Sequence, residues 1–181
     1  GAVKLMAGSD IQILAVSDSS SARHESIKSK SSWGGLSSSK VKDKISETST
    51  TAVGSMVSGD TVSVAAGQDV KVTGSGLVST DDLVVQAGRD LSVDAAVNTF
   101  SRTEMHKKKN RDLTGVLTAN NFGLDDITGN QHLSISSQMH NGSAQEMTLT
   151  GSTIGSSTGN VALVAGRELT VIASDVVSTQ D

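Results

Sequence analysis

One short phrase recurs along this chain and limits what the chain can fold into. It reads Ala-Gly, a polar residue, an acid, then an apolar-polar-apolar triplet. Two full copies are Ala66-Gly67-Gln68-Asp69-Val70-Lys71-Val72 and Ala87-Gly88-Arg89-Asp90-Leu91-Ser92-Val93. Others are Gly8-Ser9-Asp10-Ile11-Gln12-Ile13 and Gly166-Arg167-Glu168-Leu169-Thr170-Val171, and Gln145-Glu146-Met147-Thr148-Leu149 is weaker. A fixed short period of strand and turn means a solenoid, and the interval from Asp69 to Asp90 suits one coil of a parallel β-helix.

Each position has an expected task. Gly8, Gly67, Gly88 and Gly166 are expected to take positive φ where one strand hands over to the next. Asp10, Asp69, Asp90 and Glu168 are placed to accept hydrogen bonds from N–H groups that the corner leaves unpaired. The triplet is a short strand with two side chains inward and one outward. It recurs without the glycine at Val62–Val64, Leu83–Val85, Leu133–Ile135 and Val161–Leu163, making nine triplets in all. Stacked about 4.8 Å apart, roughly five coils would give a rod on the order of 25 Å long.

A longer period overlies the short one, since the corner acids Asp10, Asp90 and Glu168 stand at nearly equal intervals. The expected organisation is a single repeat array over 1–181, with long units at about 7–86 and 87–164. A third would begin at 165–181. Each unit should end in compact coils after a polar excursion, at about 17–58 and 99–130. Trp33-Gly34-Gly35 is a turn signal between two runs rich in Ser, Thr and alternating charge, which predicts a β-hairpin. Arg23, Glu25, Lys28 and Lys30 match Arg102, Glu104, Lys107 and Lys109 at an offset of 79. Because the last residues stop inside a repeat, the chain is expected to be a piece of a longer array.

Composition supports the same architecture. The chain has no Tyr, one Trp and two Phe, as a narrow bore filled by stacked aliphatic side chains would. It has no Pro, which cannot donate to a ladder and is out of place where strands are flanked on both sides. With no Cys, disulfide scaffolds, thiolate metal sites and cysteine nucleophiles are excluded. The formal net charge of −4 does not announce a nucleic-acid partner.

With the coils and hairpins laid out, the residues resemble a known family. The runs SKSSWGG (29–35), TTAVGSMVSGDTVSVAAGQDVKVTGSGLVSTDDLVVQAGRDLSV (50–93) and ALVAGRELTV (162–171) are similar to haemagglutinin repeats of two-partner-secretion exoproteins. They most resemble the second filamentous-haemagglutinin repeat region of contact-dependent growth inhibition proteins of the CdiA type. The resemblance implies an all-β, right-handed parallel β-helix with hairpin excursions, secreted to the bacterial surface through a dedicated outer-membrane partner. It implies a stalk or delivery segment that helps a C-terminal toxin reach or cross a target cell's outer membrane. The alternative is an adhesin-type module recognising surface glycan or lipopolysaccharide. Self-association through open coil ends is a further expectation.

No enzymatic constellation is apparent, and no cofactor is implied. Gly155-Ser156-Ser157-Thr158-Gly159 matches G-x-S-x-G, but without the strand-turn-helix context that makes it a nucleophile elbow. Asp81-Asp82 and Asp125-Asp126 place adjacent carboxylates on opposite strand faces, so neither pair is a ready calcium cage. His24, His106, His132 and His140 lack metal-ligand spacing. The best candidate contact surface is Lys107, Lys108, Lys109 and Arg111, with Lys28, Lys30, Lys40, Lys42 and Lys44 as a diluted second set. Anionic lipopolysaccharide, headgroups or glycans are the expected partners. No aromatic platform interleaves with these charges, as single-strand nucleic-acid binding would need.

Overall fold

The computed structural model describes residues 1–32, 37–112 and 134–179. Every regular element among them is a β-strand. The chain divides into two compact units: Gly1–Ser20, Ser49–Phe100 and Glu146–Asp181 form the first, and Ser21–Thr48 with Ser101–Gln145 the second.

The first unit contains three four-stranded sheets, parallel throughout. One comprises β1 (Val3–Ala7), β6 (Val62–Ala66), β9 (Leu83–Ala87) and β14 (Val161–Ala165). The second comprises β2 (Ile11–Leu14), β7 (Val70–Thr73), β10 (Asp90–Asp94) and β15 (Glu168–Ile172). The third comprises β5 (Met56–Gly59), β8 (Gly76–Ser79), β13 (Thr153–Ser156) and β16 (Asp175–Ser178). The chain visits them in fixed rotation, so consecutive triplets lie on different sheets rather than stacking as separate coils. Among the described residues each sheet is four strands deep, about 14 Å between its outer strands at the usual spacing.

The register explains the aliphatic composition. Equivalent inward positions stack as Val3, Val62, Leu83 and Val161, and as Leu5, Val64, Val85 and Leu163. On the second sheet Ile13, Val72, Val93 and Val171 form another column, and on the third Val57, Leu77, Ile154 and Val176. Alternation puts the middle residue of each triplet outside, so Val62 and Val64 are buried while Ser63 is not. Columns of similar volume leave little space between layers, which close packing rewards.

Near-equal long periods conceal different partitions. The first is a long step (Val3↔Val62) followed by a compact one (Val62↔Leu83). The second is a single long step (Leu83↔Val161). The reason is that Ser134–Thr150 forms one 17-residue strand, β12. Ser134-Ile135 and Met147-Thr148-Leu149, expected in compact coils, lie within it, as does the expected corner at Gln145-Glu146. Leu133, the Trp33-Gly34-Gly35 turn signal and Asp125-Asp126 fall outside the described residues.

The fourth sheet has the order β12, β11 (Ala96–Asp112), β4 (Ser37–Val53), β3 (Val16–Ser32). Its strands are antiparallel, as cross-strand contacts show. Ser39 meets Asn110, Asp43 meets His106 and Glu47 meets Arg102, positions falling on β11 as they rise on β4. Strand β3 opens at Val16 and β11 at Ala96, one residue out of phase with the charge match between the two excursions. A one-residue slip turns a side chain to the other face. Arg23 accordingly lines a recess with Lys44, Ser46, Thr103 and Met105, whereas Arg102 pairs with Glu47 on the opposite face.

A serine column closes the corner between the second and third sheets. The N–H groups of Ser55, Ser75 and Ser152 donate to the hydroxyls of Ser75, Ser152 and Ser174, at 3.2, 3.2 and 3.1 Å. Those hydroxyls donate to the carbonyls of Thr73, Asp94 and Ile172. Ser152 is fully buried. Ser152→Ala therefore strands the Ser75 N–H, and a loss of about 1–3 kcal/mol is expected, read as a shifted urea midpoint with unchanged slope.

Candidate functional site

The glycine-acid corner is a stacked column, and its glycines are needed for a reason other than backbone handedness. Among the described glycines only Gly74 has positive φ (55°). A Cβ on Gly67 would lie 2.2 Å from the carbonyl oxygen of Gly8, and one on Gly88 would lie 2.2 Å from that of Gly67. Gly166 bears the same relation to Gly88. Close approach of successive layers excludes a side chain there.

The acids tie neighbouring layers together. Asp10 Oδ1 accepts from the Asp69 N–H at 3.1 Å, and Asp69 Oδ1 from the Asp90 N–H at 3.2 Å. Two arginines, unforeseen in the sequence, reach back to the preceding acid. Arg89 Nε donates to Asp69 Oδ1 at 2.7 Å, and Arg167 Nε to Asp90 Oδ1 at 2.8 Å. The signal was the variable position of the phrase, which is Arg in the Gly88 and Gly166 copies and Ser9 or Gln68 in the others. Glu168 lies on β15, one layer beyond Asp90.

Hydrogen bonding from Arg89 holds the Asp69 carboxyl below the usual carboxylate range, with the Asp90 N–H and the arginine charge adding to it. A depressed folded-state pKa stabilises above the unfolded value and is lost as pH falls through the folded one. The contribution should be intact above about pH 4 and decline below it. Asp69→Asn should abolish that part of the acid sensitivity in unfolding midpoints between pH 6 and 2. The effect should be modest, because the pair is solvent-exposed.

The basic residues separate by alternation. Lys107 and Lys109 on β11 line one shallow recess of ≈190 Å³ with Lys40 and Lys42 on β4. By alternation Lys108 falls on the other face, so the expected run is divided between two faces, and Arg111 returns to the Lys107 side. Lys28 and Lys30 likewise fall opposite Lys40, Lys42 and Lys44. The missed signal was the shared two-residue spacing of Lys40, Lys42 and Lys44 with Lys107 and Lys109.

The two faces differ in charge pairing. On one face Asp43 meets His106 and Glu47 meets Arg102. The same register sets Lys40 opposite Lys109 and Lys42 opposite Lys107 on the other, and like charges directly opposite are destabilising. Glu25 is the one acid on that face of β3, β4 and β11 among the described residues; it pairs with Lys42 at 2.7 Å. The hydrogen bond and charge of Lys42 lower its pKa. Lys40, Lys107 and Lys109 have no ion pair among the described residues.

The other sequence candidates occupy structural positions. Ser157 Oγ donates to the Thr80 carbonyl at 3.2 Å beside β13, and no helix follows among the described residues. The Asp82 carboxylate accepts from the Asn160 N–H at 3.0 Å. Among the described residues no three His, Asp or Glu side chains gather as metal ligands would. His132 lies outside the described residues.

A three-sheet parallel stack with a long-stranded antiparallel sheet defines a β-repeat protein with one basic face, on which Lys42 alone of Lys40, Lys42, Lys107 and Lys109 has an ion pair among the described residues. The chain belongs to the haemagglutinin repeat family, whose model ("Hemagglutinin repeat") matches residues 34–180. It is 31% identical over its whole length to "tRNA nuclease CdiA-2" of Burkholderia pseudomallei (strain 1026b). It is 33% identical over 73% of its length to "Toxin CdiA" of Yersinia pestis. A "16S rRNA endonuclease CdiA" of Enterobacter cloacae is 29% identical over 99% of the chain. The chain spans only 4–5% of the length of these relatives. No solved structure matches it.

Proposed function

We propose that this chain is a non-enzymatic structural segment of a secreted toxin exoprotein. Its architecture in this reading is a right-handed parallel β-helix with coils of about 21 residues. The segment helps a C-terminal toxin reach or cross a target cell's outer membrane. The protein carrying it leaves the cell through a dedicated outer-membrane partner and works at the bacterial surface. The observation that carries this is the match of essentially the whole chain to a small part of very long proteins named as toxins. The stacked parallel strands suit reach and rigidity, since each layer contacts only its neighbours. The lysine face, on which Lys40, Lys107 and Lys109 have no ion pair among the described residues, favours a second reading, an adhesin-type module that recognises lipopolysaccharide or surface glycan.

The test deletes residues 7–165 in frame from the exoprotein and scores surface display, attachment and target killing in one co-culture. Display and attachment retained with killing lost supports delivery. Attachment lost with display intact supports the adhesin reading instead. Killing and attachment at wild-type levels would overturn both.

A further inference from the structure

We propose that the Lys40, Lys42, Lys107 and Lys109 face of the long-strand sheet docks on a lipid surface bearing phosphate groups. The inference rests on the reading that the chain works at a cell surface, and specifies what it meets there. Two adjacent strands carry complementary pairs on one face and like-charge pairs on the other. Glu25 offsets the charge of Lys42, but the Lys40–Lys109 pair has no acid partner among the described residues and costs stability as it stands, and an anion in the recess would turn that repulsion into shared attraction. Lysine ammoniums are compact point charges suited to phosphate. The recess is shallow and open on a sheet face, so it suits anions displayed on a surface better than an enclosed small molecule. Among the described residues no aromatic ring lines it, so they offer no stacking platform of the kind a nucleobase or sugar ring would use. Arg23 on β3 and Lys44 on β4 extend the cationic face.

The experiment compares two double variants of equal net charge in the purified chain: Lys40→Gln with Lys109→Gln, and Lys28→Gln with Lys108→Gln on the opposite face. Sedimentation would be measured with vesicles of phosphatidylcholine alone, with phosphatidylglycerol added, or with lipid A added. Inorganic phosphate would be tested as a competitor. The wild-type chain should bind both anionic vesicles and not phosphatidylcholine. The first variant should lose roughly thirty-fold in affinity, at about a kilocalorie per lysine near the surface, and the second about three-fold or less. Binding should weaken with salt. Preference for lipid A would assign phosphomonoesters of an outer leaflet, and equal binding would assign phosphate diesters as sufficient.

Thermal unfolding supplies a control. Lys40→Gln with Lys109→Gln should melt at or above the wild-type temperature, because it removes a repelling pair. Equal losses in both variants, or equal binding to phosphatidylcholine, would overturn the proposal. So would no binding by a folded wild-type chain. None of these outcomes depends on a toxin, so a failed docking surface and a failed delivery role are told apart.

Discussion

Gly88→Ala should be among the most damaging substitutions in the first unit, although it adds a single methyl group. The new carbon would lie 2.2 Å from the Gly67 carbonyl oxygen and 2.8 Å from its carbon. Neither atom can move aside, because the Gly88 N–H is bonded to the Ala66 carbonyl at 3.0 Å and the Arg89 N–H to that of Gln68 at 2.8 Å. Relief requires layers to separate along the corner, and a loss of about 3 kcal/mol is expected. Gly8→Ala is the matched control, since nothing lies within 4 Å of its added carbon. It should shift stability by no more than about 0.5 kcal/mol. Urea unfolding followed by circular dichroism reads both. Indistinguishable midpoints would mean that the layers are not held this close.

Leu77→Ala should cost about 2–5 kcal/mol, the range for truncating a buried leucine where the surroundings cannot collapse. Leu77 is fully buried and stands in register between Val57 and Ile154. Parallel ladders on both sides fix the backbone, so the hole cannot close by a strand shift. Val78, the next residue of β8, faces outward and is 37% exposed. Val78→Ala should cost less than about 1 kcal/mol, because its methyl groups already meet water. The contrast between neighbours tests the alternation directly. Similar losses at both positions would contradict the inward and outward assignment.

The strands of the parallel stack were legible because each triplet carries its own signal: aliphatic residues two apart with a polar residue between. Which triplets belong to one sheet was not, since that is fixed by register between distant parts of the chain. Met147-Thr148-Leu149 shows the limit, for its local pattern is that of a coil strand and only pairing with β11 assigns it to the long sheet. The glycines were found for the wrong reason. A positive φ is a property of one residue, whereas room for a carbonyl oxygen depends on the layer alongside. The lysines were found as a run, but a strand presents a run to both sides. Lys107 and Lys109 join Lys40 and Lys42 only through an antiparallel register that no single stretch encodes.

The unequal partition of the two long periods separates contour length from reach. The chain from Val3 to Leu83 advances the stack by two steps, and the nearly equal length from Leu83 to Val161 by one. At ordinary strand spacing that is about 10 Å against about 5 Å. Chain spent on long strands adds sheet area and no further step to the stack. Loop closure grows only logarithmically with insert length, so such area can be added between two fixed layers at little thermodynamic cost. Counting residues would overstate how far an array of these repeats extends, by an amount that depends on how many of its turns carry inserts. Mass and span become separately adjustable, and one chain can trade distance covered for surface displayed.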